Sequence, residues 1–414
     1  MRYNGVSGQV KSVAVSVQDG ANLDSFSRLR VSTPTSLFDA QFTYDLQPLL
    51  FEQTVAETGA AIAHDATNRC ALFTFANTPT GGTAIMQSYD WFRYQPGKSQ
   101  AIFATFNFIA GVANVVKFIG YSDGNNGVEF VLDGTTKKIR ILSDTTAGDE
   151  TVSQSSWNLD KLDGTGASAL TLDITKTQIL VIDLQSLYVG RVRVGFDIGG
   201  KIIYAHEFNH ANLIAYPYIQ TANLPIRAGM TCTGTVSTTM NFICCNVSSE
   251  GGVDDTLGYQ FTANGTATAS NGARTHILSL RPNTTFNSLA NRTKFVLESV
   301  DIANSGSVPV LWELCLGQAI SGTTSFTDVN ATYSGFEFNT AGTISGSPTI
   351  VIVSGYLPSS ATSKQNISTK VPLRYPITLD AAGAVRALGT LSIDVTGIGN
   401  TADCRATLNW KEIR

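Results

Sequence analysis

The sequence predicts an all-β protein: an N-terminal extended arm followed by two β-sandwich or jelly-roll-like domains. Three observations predict it. Apolar and polar residues alternate in short runs, as in Arg191–Ile198, where Val192, Val194, Phe196 and Ile198 fall on one face and Arg191, Arg193 and Asp197 on the other. That period of two is what a half-buried antiparallel strand requires. Such runs are punctuated by turn chemistry, as at Asp123-Gly-Asn-Asn-Gly127 and Asp133-Gly134. No segment shows a convincing amphipathic helix, and no internal repeat is present.

The elements follow in chain order. Residues 1–50 read as the arm: within them Val13–Val17 suits one added strand, and Pro34 and Pro48 break regularity. Residues 51–250 read as the first sandwich, of jelly-roll or concanavalin-like type. Ala101–Phe108 and Val115–Tyr121 read as a strand pair. Val128–Leu132, Ile139–Leu142, Gln178–Leu184, Arg191–Ile198 and Lys201–His206 continue the pattern. Ser248–Asp255 is small, acidic and Gly-containing, and marks the boundary. Residues 251–414 read as a second sandwich, with strands over Lys294–Ile302, Val310–Gly317, Thr349–Tyr356, Thr390–Val395 and Arg405–Trp410.

Composition narrows the function. The 414 residues include only 14% charged side chains against 43% hydrophobic ones, enough to bury full cores and too apolar for a disordered chain. A net charge of −4 without any Lys/Arg block excludes a sequence-independent nucleic-acid binder, which must neutralise phosphates. No apolar leader and no run of 18 apolar residues is present, so the expectation is no membrane span and assembly in a cytoplasm. The six cysteines lack metal-site or disulfide-framework spacing and read as reduced thiols.

Four stretches carry a resemblance. They are residues 25–39 (SFSRLRVSTPTSLFD), Tyr94–Gln100 (YQPGKSQ), Trp157–Gly166 (WNLDKLDGTG), and Val189–Phe196 with Gly200–Tyr204. In this order they resemble a family of tailed-phage virion structural proteins of tail or head appendage type, over about the first 250 residues. The resemblance implies a virion location and a multicopy appendage or decoration protein held by its N-terminal arm. Its implied partners are copies of itself, as a trimer or higher ring, and other virion proteins, with a host-surface glycan or receptor as a further partner. The expectation is a structural protein that is not an enzyme and takes no cofactor.

Within the arm, Arg28 and Arg30 alternate with Leu29 and Val31, giving one cationic and one apolar face if extended. With Leu37 and Phe38 they form the candidate assembly interface, since interface cores favour Arg and apolar anchors. The competing reading is a surface loop of the same chain. His206-Glu-Phe-Asn-His210 spells a zinc-hydrolase motif, but that chemistry needs a helix to bring both imidazoles to one metal. Here it follows a strand, and on a strand residues four apart lie about 13 Å apart. The expectation is that His206 and Glu207 are polar partners near a sheet edge. Asp123–Gly127 has oxygen ligands for calcium but not the EF-hand spacing, and a tight turn is the simpler reading. Trp157 reads as a buried anchor before it reads as a sugar-stacking platform. For a glycan-binding module, Trp312, Tyr356 and Trp410 are the candidate stacking residues.

Overall fold

A computed structural model describes residues 22–30, 34–185, 187–221, 223–254, 258–322, 325–359, 363–368 (backbone) and 375–414. The expected strand at Val13–Val17 and the interface candidate Val31 lie outside these. Among the described residues the chain is all-β, with two 3-10 turns, Gln154–Ser156 and Ala387–Gly389, as its only helical elements.

The first module is two facing antiparallel sheets. One runs Lys201–Phe208, Val192–Ile198, Gln178–Leu184, Gln100–Asn107, Val236–Ser249, Cys70–Thr78, Ala60–Asp65, with Thr35–Gln41 also against Val236–Ser249. The other runs Glu150–Ser153, Thr136–Leu142, Gly127–Asp133, Val115–Ser122, Ile226–Cys232, Thr83–Ser88, Phe51–Ala56. Between them lies an aromatic core. Phe130 stacks on Phe108 at 5.6 Å and meets Phe196 edge-on at 5.0 Å, while Phe42 packs on Phe242 at 5.1 Å. Offset and edge-on rings at these distances contribute beyond their buried area.

Two sequence expectations are corrected here. Gln100–Asn107 and Val115–Ser122 are not a pair; they lie in opposite sheets, the first bonded to Gln178–Leu184 and Val236–Ser249, the second to Gly127–Asp133 and Ile226–Cys232. Both are apolar strands covered by the facing sheet, and periodicity specifies a strand without naming its partner. The arm does not extend to residue 50. Thr35–Gln41 pairs with Val236–Ser249, and Phe38, Ala40 and Phe42 are buried in the first core. Val236–Ser249 is long enough to hold Cys70–Thr78 along its first half and Thr35–Gln41 along its second. The N-terminal strand thus fills an edge that Cys70–Thr78 leaves open.

The second module is also a sandwich. Tyr259–Ala269, Ala402–Ile413, Lys294–Asn304 and Ser363–Ser368 form one sheet. Thr327–Asp328, Phe336–Asn339, Thr275–Pro282, Leu391–Gly397, Val310–Leu316 and Ile350–Leu357 form the other. Along Ala402–Ile413 every second residue from Ala402 to Glu412 is buried. Trp410 and Trp312 anchor this core at 0% and 1% exposure, and Trp410 packs 6.1 Å from Phe295. Glu412 ends the buried face, and its carboxylate accepts from Ser334 Oγ at 2.6 Å, Gly335 N–H at 2.9 Å and Trp410 Nε1 at 3.1 Å.

The modules are stapled to one another by arginine–aromatic contacts. Arg292 lies 3.9 Å from the Trp91 ring centroid and Arg386 3.2 Å from that of Tyr89. Thr378 Oγ1 donates to the Tyr89 carbonyl at 3.0 Å, Asn223 Nδ2 to the Arg292 carbonyl at 3.2 Å, and the Ala381 N–H to Glu52 Oε2 at 3.1 Å. Stacked guanidiniums shed less hydration than ammonium groups would, which suits them to such a seam.

Candidate functional site

After Gln178 the strand Gln178–Leu184 reads apolar except for Asp183, whose side chain is wholly buried. A buried carboxylate is stable only if paired and hydrogen-bonded. Asp183 collects donors from far along the chain. Arg193 Nη2 approaches Oδ2 at 2.6 Å, Arg30 Nη2 at 2.7 Å and the Tyr204 hydroxyl at 2.7 Å. Ser99 Oγ donates to Oδ1 at 3.1 Å, and Ser25 Oγ donates to the same oxygen. Arg30 also contacts Glu250 at 2.7 Å, and Arg193 lies over the Tyr204 ring at 4.3 Å.

Antiparallel geometry builds this cluster. Asp183 sits opposite Arg193 and Ala101 in the ladder, two residues from Ser99, while Tyr204 enters from the strand beyond. The register there shifts between Val194 and Gly195, where Gly195 faces the Ile203 carbonyl so closely that a Cβ would collide with it. Residues 22–30 form the lid. Asp24 caps its turn, accepting from the N–H groups of Phe26 at 2.9 Å and Arg28 at 2.8 Å. Arg193 Nη2 also donates to the Leu23 carbonyl at 2.9 Å, and Arg191 Nη2 to that of Ser25 at 3.1 Å. The N-terminal segment is therefore locked onto its own sheet.

The candidate interface residues divide accordingly. Arg30 is used inside the chain, Phe38 is in the core, and Leu37 packs against that core. For these three the expectation of an interface is corrected: the arginine found a partner in Asp183, a charge hidden in an apolar strand. Arg28 is half exposed and paired with Asp24, while Leu29 is 55% exposed. Only these two of the described candidates present themselves to a neighbour.

The other motifs have structural occupations. In His206–His210, both nitrogens of His210 are taken: Nδ1 by the Gly190 carbonyl at 2.9 Å and Nε2 by Glu150 at 2.8 Å. Its ring stacks on Tyr218 at 4.1 Å. His206 Nδ1 accepts from the Asn158 N–H at 3.2 Å, and burial lowers its pKa. Glu207 lies 3.6 Å from Arg191 on the sheet's outermost strand. Among the described residues no group of three His, Cys, Asp or Glu side chains could hold a metal ion.

At Asp123–Gly127 the Asp123 carboxylate accepts from the N–H groups of Asn125 at 2.8 Å and Asn126 at 2.6 Å, an Asx turn closing a hairpin. Trp157 is 3% exposed and donates to the Val152 carbonyl at 3.3 Å, which removes it as a sugar platform. Asp160 organises the loop that follows, accepting from Leu162 N–H at 2.9 Å and Ser168 N–H at 2.7 Å. Gly164 has a positive φ of 88°, whereas Gly166 is required because a Cβ there would strike the Asp160 carboxylate.

Burial works against the Asp183 charge, but the Arg193 and Arg30 guanidiniums with the Ser25 and Tyr204 hydroxyls outweigh it and hold the carboxyl below its ordinary range.

No protein-family model matches the sequence, and no curated protein does. Solved structures align with about half of the chain. One is an immunostimulatory antigen and pseudo β-1,3-glucanase of Mycobacterium tuberculosis, 12% identical, covering 51% of this chain and 98% of that one at a TM-score of 0.36. A family 16 glycosyl hydrolase protein of Mycobacterium smegmatis is 11% identical, covering 51% and 100% at a TM-score of 0.34. The lectin-like defence protein arcelin-5 of Phaseolus vulgaris is 10% identical, covering 51% and 97% at a TM-score of 0.33. Likeness at this level transfers no activity. The expectation that the chain is not an enzyme is withdrawn: an all-β sandwich architecture is compatible with catalysis and gives no ground for excluding it.

Asp183→Asn is expected to lower stability by about 3–5 kcal/mol at neutral pH, the cost of leaving buried cations without their counter-charge. Because the folded carboxyl titrates below the unfolded one, its stabilisation is complete above about pH 4 and is lost as pH falls through the folded value. Urea unfolding of wild type and variant across pH checks this: their difference should shrink on acidification. A pH-independent difference would contradict it.

Proposed function

We propose that this chain is a structural component of a bacteriophage virion, a multicopy appendage or decoration protein. The observation that carries the proposal is where the resembling stretches converge. Ser25 and Arg30 come from the first stretch, Ser99 from Tyr94–Gln100, Arg193 from Val189–Phe196 and Tyr204 from Gly200–Tyr204; all donate to the one Asp183 carboxylate. Three of the four stretches, scattered over 180 residues of sequence (Ser25 to Tyr204), thus meet around one aspartate, which supports reading them as parts of one architectural device. Two sandwiches stapled through Arg292 and Arg386 further suit a load-bearing part, since neither module swings on a bare linker. In this reading the N-terminal segment is an internal latch whose outer side, Arg28 and Leu29, faces the neighbouring subunit.

Immunogold electron microscopy of purified virions, with antibodies to residues 258–414, tests the proposal. Gold at a discrete head or tail position is expected. Absence of the protein from both the labelled particles and the virion proteome would end this reading.

A second reading, a glycan- or receptor-binding module of the virion, rests on one observation. Trp312 and Trp410 are buried and unable to stack on a sugar, but Tyr356 is 69% exposed on the outermost strand Ile350–Leu357. Sugar stacking on an exposed ring contributes modestly per contact. Tyr356→Ala is therefore expected to reduce host-cell binding of the purified protein severalfold, and unchanged binding would discard the adhesin reading.

A further inference from the structure

A cavity of about 100 Å³ lies at the seam between the two modules. Leu37 and Phe92 of the first module and Val296 and Ile413 of the second give it apolar walls. Three cations, Arg93, Lys98 and Lys294, line it as well, and among the described residues no carboxylate does. Two of the three Lys98 ammonium protons are already placed, on Gln95 Oε1 at 2.6 Å and the Gly252 carbonyl at 3.1 Å. Arg93 and Lys294 close no ion pair among the described residues; Lys294 acts on Asp90 only at longer range.

A second feature points to an occupant. The Gln100 side chain also lines the cavity, is 2% exposed, and leaves both Nε2 and Oε1 without a hydrogen bond of ordinary geometry, although the Tyr121 hydroxyl lies nearby. That hydroxyl donates instead to the Phe92 carbonyl at 2.5 Å. A buried amide with neither group satisfied carries a desolvation penalty that a polar ligand removes.

We propose that this seam cavity binds a small organic anion: a carboxylate with a short apolar body. The carboxylate would be met by Lys294 and Arg93, neither of which closes an ion pair among the described residues. The Gln100 amide would supply a neutral donor, and the apolar body would lie on Phe92, Val296 and Ile413. Size sets the upper bound. An apolar cavity of about 150 Å³ accommodates benzene, so this one fits a chain of about three or four carbons. Because the walls come from both modules, occupancy would stabilise their docked arrangement by mass action.

Sodium butyrate and its neutral isostere butyramide are the probes, added to the full chain and followed by saturation-transfer NMR and by melting temperature. Butyrate is expected to bind and to raise the melting temperature, with butyramide roughly tenfold weaker or worse, the ratio that a charge-assisted hydrogen bond supplies. Lys294→Gln and, independently, Arg93→Gln should each weaken butyrate by about tenfold. Equal binding of the two probes, no binding of butyrate, indifference to both substitutions, or an equal shift from sodium chloride would each overturn the proposal. None of these outcomes bears on whether the protein resides in a virion, which the particle labelling decides separately.

Discussion

One buried carboxylate sets the terms for the first module. Asp183 lies in a strand whose neighbours are Leu180, Val181, Ile182 and Leu184, so in isolation it would hold a charge in a medium that cannot solvate it. The chain answers with two guanidiniums and three hydroxyls drawn from the strands on either side of it in the sheet and from the N-terminal segment. Replacing such a cluster with apolar residues is often neutral for stability, so its use here is better understood as specifying one arrangement. Only when residues 22–30 lie across the sheet is Arg30 in reach of Asp183.

The rest of the architecture follows from that placement. With residues 22–30 fixed, the chain enters Thr35–Gln41 along the second half of Val236–Ser249, and Phe38 and Phe42 drop into the aromatic core. The rim that follows, from Tyr89 to Lys98, meets the second module through Tyr89 and Trp91 and the first module's interior through Tyr94. The lock, the core and the seam are therefore mechanically continuous, which is the property a load-bearing assembly component needs.

Much of this was legible in the sequence, and the remainder was not for identifiable reasons. Period-two alternation located Val192–Ile198 and a short apolar run located Gln178–Leu184 almost to the residue, although both strands are buried on both faces through most of their length. The same alternation gave no pairing for Gln100–Asn107, since partners are fixed by topology and not by local sequence. Arg28 and Arg30 stood out as cations on one face, but Arg28 turned to Asp24 beside it, while the destination of Arg30 depended on a charge more than 150 residues away. A signal for it existed: a lone Asp inside the run Ile-Leu-Val-Ile-Asp-Leu is costly enough to demand a partner. Trp312 and Trp410 looked like surface platforms because nothing local distinguishes a buried indole from an exposed one; only the facing sheet decides it.

The central claim is that the N-terminal segment is locked onto the chain's own first sandwich. Hydrogen–deuterium exchange on the isolated full-length protein tests it directly. The amides of Asp24, Ser27, Arg28 and Arg30 all donate within the latch, at 2.8–3.0 Å. They are expected to exchange slowly at neutral pH, at rates close to those of the neighbouring strand Thr35–Gln41. Exchange of these amides at unstructured-peptide rates, with Thr35–Gln41 still protected, would contradict the account and return the segment to the role of a free docking arm.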